Sequence, residues 1–316
     1  MPQSRTLPDL LQALHGFRES RVLLTAVELD VLSACGAGAG VGAVAAAAGA
    51  DPRAMGMLLD ALTALGVLAK EGDRYRCTEA GAALGRERAG LMHIARLWHT
   101  WSTLTECVRT GCSERRGPKG DDTPHFIAAM HARAVTVAAD AVRMVGARGV
   151  GRLLDVGGGP ATFAIAFAQA EPGLRAEVMD LEPVLPIARG HIRDAGLEDR
   201  VTARAGDLRT DSLGQGWDLI LVSAICHMLS EEENQDLLAR CARALAPGGR
   251  VAIREFILDP DRAGPPFAAL FALNMLVGTE RGNTYTEAEY RAWLEGAGCR
   301  RVTRPDPQGD WIIGCL

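Results

Sequence analysis

The 316-residue sequence is poor in aromatic residues, has no surplus of basic charge and holds no closely paired cysteines, and each shortage removes a class of function. A formal net charge of -5 gives no electrostatic reason for nucleic-acid binding. The eight cysteines (Cys35, Cys77, Cys107, Cys112, Cys226, Cys241, Cys299 and Cys315) form no CxxC pair. Cys107 and Cys112 are spaced CxxxxC with no second cluster nearby, so no metal site is expected. Scattered cysteines read as reduced thiols, which points to the cytoplasm. The first twenty residues lack a cationic start followed by an apolar run, so no signal peptide is expected. The small, apolar stretch around Val41–Ala50 is too short to span a bilayer, so no membrane partner is expected. The triphosphate-cradling pattern GxxxxGK[ST] is missing. Aromatic residues at 5% supply little stacking surface for any pocket.

What is present divides into three stretches: residues 1–95, 96–148 and 149–316. Apolar positions from Leu7 to Leu32 recur at helical spacing (Leu10, Leu11, Leu14, Val22, Leu23, Ala26, Val27). An Ala-rich helix follows, then a turn, then a helix from Pro52 to about Leu65. Asp51 is placed to cap that helix and Gly66 to end it. Strands at Val67–Ala69 and Tyr75–Thr78 complete a helix–turn–helix–hairpin, a winged-helix-like pattern. A DNA-reading helix presents several basic or amide side chains, and this one carries only Arg53. The balance therefore favours a packing or dimerisation module. Residues 96–148 read as a helical connector, broken by a polar stretch at 110–122. Its Trp101, together with Trp98 just before it, could line a pocket or simply pack.

From Gly151 short apolar runs alternate with helices: RLLDV, AEVMD, VTARAGD, WDLILVSAI, GRVAIREFIL, then a close pair near CRRVT and WIIGCL. That alternation predicts an α/β domain with a mostly parallel sheet covered on both faces, one of the last two strands running antiparallel. The strongest local signal is Asp155-Val156-Gly157-Gly158-Gly159, where a strand end meets a glycine turn and the start of a helix. Glycines let a ligand approach the backbone, and the helix N-terminus offers free N–H groups. Two further acids close the next strands, Asp180 to accept from ribose hydroxyls and Asp207 from an adenine amino group. A carboxylate in the turn repels a pyrophosphate and suits a ligand bearing an ammonium group, which favours S-adenosylmethionine (SAM) over a nicotinamide dinucleotide.

The ordered segments DVGGG, VMDLEPV, AGDL, SAICHMLSEEE, LAPGGRVAIREFIL and GTERGNTYTEAEYRAWLEGAGC resemble the caffeic-acid and hydroxyindole type of O-methyltransferase over nearly the whole chain. The resemblance implies a Rossmann-like class I methyltransferase domain with a seven-stranded sheet, preceded by a mainly helical, winged-helix-like dimerisation domain. It implies a homodimer formed through that domain, SAM as cofactor with S-adenosylhomocysteine as product, no metal, and a small-molecule acceptor. The catalytic base maps to His227, with Glu255 and Glu280 as the acids flanking it. Cofactor contacts map to Asp155, Gly157, Gly158, Gly159, Asp180, Leu181, Asp207, Leu208 and Ser223. Acceptor contacts map to Met130, Asn274 and Met275, and Phe271 lies on the same stretch. Three positions depart from the family pattern: Ala161 stands for the last motif glycine, Leu229 for a Trp that packs on the adenine, and Ser223 for a Lys of some plant members.

Methyl transfer from a sulfonium is an in-line displacement, so positioning dominates and can supply about 7–11 kcal/mol. A phenol is mostly protonated at neutral pH, so an imidazole that removes its proton adds roughly 10²–10⁴-fold. An acid on the other ring nitrogen fixes the tautomer. His227 with Glu255 or Glu280 fits those roles, which predicts transfer to a hydroxyl. Two alternatives stay open on the residues alone: transfer to carbon, nitrogen or sulfur on the same fold, and a winged-helix regulator that binds a metabolite without catalysis.

Overall fold

The computed structural model describes residues 5–113 and 123–316, and the chain divides into two compact units that meet between His99 and Thr100. Residues 114–122 of the expected polar break lie outside the described residues.

The first unit contains α1 (Leu7–His15), α2 (Phe17–Glu28), α3 (Val31–Cys35), β1 (Ala39–Gly40), α4 (Val41–Ala48), α5 (Pro52–Ala64), β2 (Leu68–Glu71), β3 (Arg74–Cys77) and α6 (Glu79–Arg86). Helix α7 (Arg88–Trp101) carries the chain into the second unit. The helical stretch expected from Leu7 to Leu32 is three helices: it breaks at Gly16 between α1 and α2, and again where Asp30 takes the left-handed conformation between α2 and α3. Asp51 caps α5 as expected, its carboxylate accepting from the Ala54 N–H at 2.8 Å. The hairpin β2–β3 takes β1 on its far side in an antiparallel sheet of order β1-β3-β2. Val31, Leu32, Met55, Leu59, Leu62 and Tyr75 form the core of this unit. Helix α1 contributes nothing to it: Leu7, Leu10, Leu11 and Leu14 are all exposed.

The second unit runs α8 (Leu104–Thr110), α9 (Thr123–Val145), β4 (Arg152–Val156), α10 (Thr162–Ala170), β5 (Arg175–Asp180), α11 (Leu185–Asp194), β6 (Val201–Ala205), β7 (Trp217–Ser223), α12 (Glu231–Ala244), β8 (Leu245–Arg254), α13 (Pro266–Gly278), α14 (Glu287–Gly296), β9 (Arg301–Thr303) and β10 (Trp311–Cys315). Its seven-stranded sheet has the order β6-β5-β4-β7-β8-β10-β9. The pairs among β4 to β8 are parallel, and β10 is antiparallel to both neighbours. The close spacing of the last two strands had pointed to this single reversal.

Side chains alternate across each strand, so the two faces build separate cores. Leu154, Val156, Ile220 and Val222 pack with Leu237, Leu238, Tyr290 and Leu294 of α12 and α14. Leu153, Leu219 and Leu221 pack with Ala138, Ala141, Phe167 and Ile192 of α9, α10 and α11. Strand order reverses between β4 and β7, and ligands of open α/β sheets bind in the crevice at such a point, at the carboxyl ends of the strands. Both the glycine turn after β4 and the His227 segment after β7 emerge there. Among the described residues, no helix is long and apolar enough to cross a membrane.

Candidate functional site

After Val156 the backbone enters the left-handed region at Gly157 (φ +65°), Gly159 (φ +53°) and Ala161 (φ +65°). For an L-residue that conformation costs roughly 1–2 kcal/mol, which explains glycine at the first two. Ala161 bears the cost, but its methyl group is completely buried in the core on the Leu153 face of the sheet, which recovers about 0.8 kcal/mol. The consequence of alanine here is therefore conformational rather than a loss of space for a ligand. A Cβ at Gly157 would overlap Ile225 and lie 3.6 Å from Leu208 Cδ2. A Cβ at Gly158 would lie 2.6 Å from Asp155 Cγ and 2.9 Å from Val178 Cγ1. The turn therefore has no room for side chains on the side facing the sheet.

The three acids sit at three depths. Asp180 is part-buried; its Oδ2 accepts from the Gly159 N–H at 2.8 Å and its Oδ1 from the Leu181 N–H at 2.7 Å. Burial raises its pKa despite those bonds. Asp207 accepts from the Arg209 N–H at 2.8 Å, and its own N–H donates to Asp211 at 2.8 Å. Asp155 is completely enclosed; neither carboxylate oxygen has a hydrogen-bond partner within 3.5 Å, and the Ala164 N–H at the start of α10 is the donor close enough to ease its burial. The sequence suggested a carboxylate at the rim of the turn. Strand alternation instead points Asp155 to the Leu153 side of the sheet, and Gly158 seals it from above.

Burial pushes the Asp155 carboxyl up to about 7. A raised folded-state pKa for an acid means that folding favours the protonated form. Its contribution to stability is full below the unfolded value near 4 and is lost as pH rises through 7, with a ceiling of about 4 kcal/mol. Asp155→Asn is therefore expected to be more stable than the parent chain at pH 8, with the gap closing below pH 4. Denaturant midpoints measured across that range check this.

The His227 segment begins with a left-handed Ala224 (φ +58°), whose N–H donates to the Arg254 carbonyl at 3.0 Å. Strain of this sort persists where the surroundings enforce it. A short 3₁₀ turn, Cys226–Met228, then presents the imidazole. His227 and Glu255 are both buried. Glu255 Oε2 lies 2.8 Å from His227 Nδ1, and Glu255 Oε1 accepts from the His227 backbone N–H at 3.2 Å. A carboxylate can only accept, so Nδ1 carries the hydrogen. The pair lies at the end of β7 and the end of β8, adjacent in the sheet, so the register places them together.

Glu280 is exposed, and among the described residues no hydrogen bond or ion pair joins it to His227. The loop that carries it grips His227 by its backbone instead: the Asn283 N–H donates to the His227 carbonyl at 2.9 Å, and Gly282 lies against the same carbonyl. Of the two acids expected to flank the base, the structure brings only Glu255 to it.

On the acceptor side, Phe271 meets the His227 ring edge-on at 4.9 Å between centroids. Phe256, the residue after Glu255, packs on Phe271 at 4.5 Å and on Phe267 at 4.9 Å. Phe256 and Phe267 are not singled out by the sequence, although Phe256 adjoins Glu255 and Phe267 lies one helical turn before Phe271. Trp101 Nε1 donates to Asn274 Oδ1 at 2.9 Å, which leaves the Asn274 amide NH₂ as its remaining donor. Met130 is part-buried and Met275 buried. Trp98 belongs to the first unit, where the Arg21 guanidinium lies over its ring. Leu229 is buried in the apolar core and its carbonyl accepts from the Tyr285 hydroxyl at 2.6 Å. Ser223 is part-buried at the end of β7.

Two histidines lie against the glycine turn. His131 Nδ1 is 2.8 Å from Thr162 Oγ1, His191 Nδ1 is 3.0 Å from the Pro160 carbonyl, and the two rings stack at 4.1 Å.

These features fit SAM. The turn offers a surface without Cβ atoms, an enclosed carboxyl with no hydrogen-bond partner within 3.5 Å lies directly beneath it, and the exposed Leu181 next to Asp180 leaves an apolar face for a flat ring. Among the described residues there is no group of three or more His, Cys, Asp or Glu side chains arranged to hold a metal ion.

Comparison with known proteins agrees with this arrangement. Residues 110–300 match the family model of the O-methyltransferase domain, and residues 11–86 match that of the O-methyltransferase dimerisation domain. A 3-hydroxy-5-methyl-1-naphthoate 3-O-methyltransferase of Streptomyces sahachiroi is 34% identical, across 95% of this chain and 92% of its own length. The N,N-dimethyltransferase OxyT of Streptomyces rimosus is 32% identical, across 98% of this chain and 96% of its own. The crystal structure of human N-acetylserotonin methyltransferase in complex with SAM is 25% identical and superposes with a TM-score of 0.82, covering 100% of this chain and 99% of that one. With its glycine turn and its imidazole–carboxylate pair at the strand ends of a class I sheet, the chain belongs to the SAM-dependent O-methyltransferase family.

Proposed function

We propose that the chain methylates an aromatic hydroxyl on a fused-ring small molecule, with His227 as general base and Glu255 orienting it. The observation that carries this is the buried His227–Glu255 pair beside the cluster of Phe271, Phe256 and Phe267. Bound SAM supplies an electrophilic methyl group. The chain supplies the rest. Glu255 holds the hydrogen on Nδ1, so Nε2, which has no hydrogen-bond partner among the described residues, is the nitrogen left to take the phenolic proton. Glu255 then stabilises the imidazolium. The three phenylalanines offer faces and edges to an aromatic acceptor, contacts worth about 0.5–1.5 kcal/mol each beyond area burial. The naphthoate-modifying relative supports an acceptor of that size. The Asn274 amide NH₂ can donate to a carbonyl or hydroxyl of the acceptor. Gly157, Gly158, Gly159, Asp180, Leu181, Asp207, Leu208 and Ser223 would hold the donor, with Asp155 acting from beneath the turn.

The dimerisation-domain match and the uncovered leucines of α1 support pairing with a second copy through the first unit.

Transfer to nitrogen is the second reading, favoured by the likeness to an N,N-dimethyltransferase. One assay separates the two. Labelled methyl from SAM is followed into matched naphthols, naphthylamines and naphthalenethiols. The naphthols are expected to be the preferred acceptors at pH 7; preference for the amines overturns the hydroxyl assignment.

A further inference from the structure

The glycine turn is held at three successive points by three different elements. Asp180, at the end of β5, accepts from the Gly159 N–H. His191, in α11, bonds the Pro160 carbonyl. His131, in α9, bonds the Thr162 hydroxyl at the first position of α10. A carbonyl only accepts, so His191 Nδ1 carries a hydrogen and donates. Burial, and then the neighbouring His191, lower the pKa of His131. Its ring is therefore neutral at neutral pH, and Nδ1 can accept from the Thr162 hydroxyl. Ile127 of α9, one helical turn before His131, comes within 3.8 Å of the position a Cβ would occupy on Gly159. One helix face thus touches the turn at both its middle and its end.

From this geometry we infer that the stacked His131–His191 pair is a positioning device that pins the Pro160–Thr162 end of the donor turn. The inference rests on the reading of that turn as the donor site. Asp180 is the member of the set that a bound donor must engage, since its carboxylate would also accept from ribose hydroxyls. Its bond to Gly159 is then shared or given up, and the Pro160–Thr162 end of the turn leans on the side-chain anchors that follow Gly159. The two imidazoles are those anchors. Neither touches the His227 pair, so their influence falls on donor affinity and leaves acceptor chemistry alone.

Calorimetric titration of the full chain with S-adenosylhomocysteine tests this, paired with steady-state kinetics. His191→Phe keeps the ring stack and removes the bond to Pro160. It is expected to weaken binding, and to raise the KM for the donor, by about tenfold, the usual effect of one lost hydrogen bond of this kind. kcat at saturating donor and the KM for the acceptor stay within about threefold of wild type, because the reacting groups keep their geometry. His191→Asn presents an amide N–H near the place of Nδ1 and is expected to recover most of the affinity. Thr162→Val removes the His131 bond with little change of shape, and combined with His131→Phe it is expected to add nothing to either alone. Thr162→Val also carries the test if the histidine variants fold poorly.

Wild-type affinity in both His191→Phe and Thr162→Val overturns the inference, as does equal weakening by His191→Asn and His191→Phe. An acceptor KM that moves in step with the donor KM overturns it too. Failure of the wild-type chain to bind S-adenosylhomocysteine overturns the donor reading, and this inference with it.

Discussion

Replacing His227 with alanine is expected to lower kcat by roughly 10²–10⁴-fold on a phenolic acceptor, the range for loss of a positioned general base. Affinity for S-adenosylhomocysteine should change little, because nothing in the glycine turn leans on the imidazole. Glu255→Gln should cost nearly as much. An amide at 2.8 Å from Nδ1 can donate as well as accept, so it no longer dictates which ring nitrogen holds the hydrogen. The tautomer with hydrogen on Nε2 cannot take a proton from the acceptor. The two substitutions should therefore be far from additive, since each disables the same unit. Glu255 also accepts from the His227 backbone N–H, so its loss unsettles the 3₁₀ turn as well as the ring. Raising the pH supplies a further check. Once the acceptor ionises in bulk solution, near pH 10 for a simple phenol, His227→Ala should regain much of its rate relative to wild type, because the proton is already gone. Stopped assays across pH 7–10 with both variants decide the matter. An unchanged kcat in His227→Ala at pH 7 removes the base from the mechanism.

Glu280 makes the complementary case. It is exposed and unconnected to the imidazole, so the dyad stands on Glu255. The family pattern placed both acids near the base, and sequence distance gave no means of choosing between them. Glu255 sits at the end of β8, whose register against β7 is set by a hydrophobic ladder from Ile220 to Ile253. Glu280 sits in a loop after α13, where no ladder fixes the side chain, although the backbone contacts of Gly282 and Asn283 to His227 help to hold that loop in place.

The same contrast explains how much could be read from the chain before its fold was known. Features written in consecutive residues were legible: the cap at Asp51, the glycine turn, the acids closing β4, β5 and β6, and the single reversed strand. Features that depend on which elements lie over which were not. Asp155 was expected at the rim of the turn, and its depth follows only from strand alternation together with Gly158 lying across it. Trp101 and Asn274 are 173 residues apart, and their hydrogen bond appears only when α7 ends beside α13. His131 and His191 fall in unrelated stretches of sequence, and nothing in either stretch points to the other. Their stacking needs α9 and α11 to converge on the same turn. Phe256 is the instructive miss, because it adjoins Glu255 and could have been weighed as a wall of the same site.

Gly158→Ala is expected to weaken donor binding measurably and to lower turnover by about 10²-fold, since a displacement near 1 Å of positioning groups carries that cost in rate. The reason is purely steric. Gly158 has no left-handed φ, so alanine meets no conformational objection there. What it meets is a Cβ placed 2.6 Å from Asp155 Cγ, 2.7 Å from Asp155 Oδ2 and 2.9 Å from Val178 Cγ1. Neither neighbour can retreat, because Asp155 and Val178 are both completely buried. The turn must lift away from the sheet instead, and overpacking of this kind costs about 1–3 kcal/mol of stability in addition. Lifting the turn carries the Gly159 N–H away from Asp180 and moves the surface that faces the donor. Gly42, in helix α4, is the matched control. A Cβ there meets nothing within 4 Å, so Gly42→Ala should stabilise the first unit by roughly 0.5–1 kcal/mol and leave donor affinity alone. If the cradle is built as described, thermal melts of the two variants shift in opposite directions, and calorimetry with S-adenosylhomocysteine shows weakened binding in Gly158→Ala alone. Wild-type affinity in Gly158→Ala would mean that the donor does not lie on this turn.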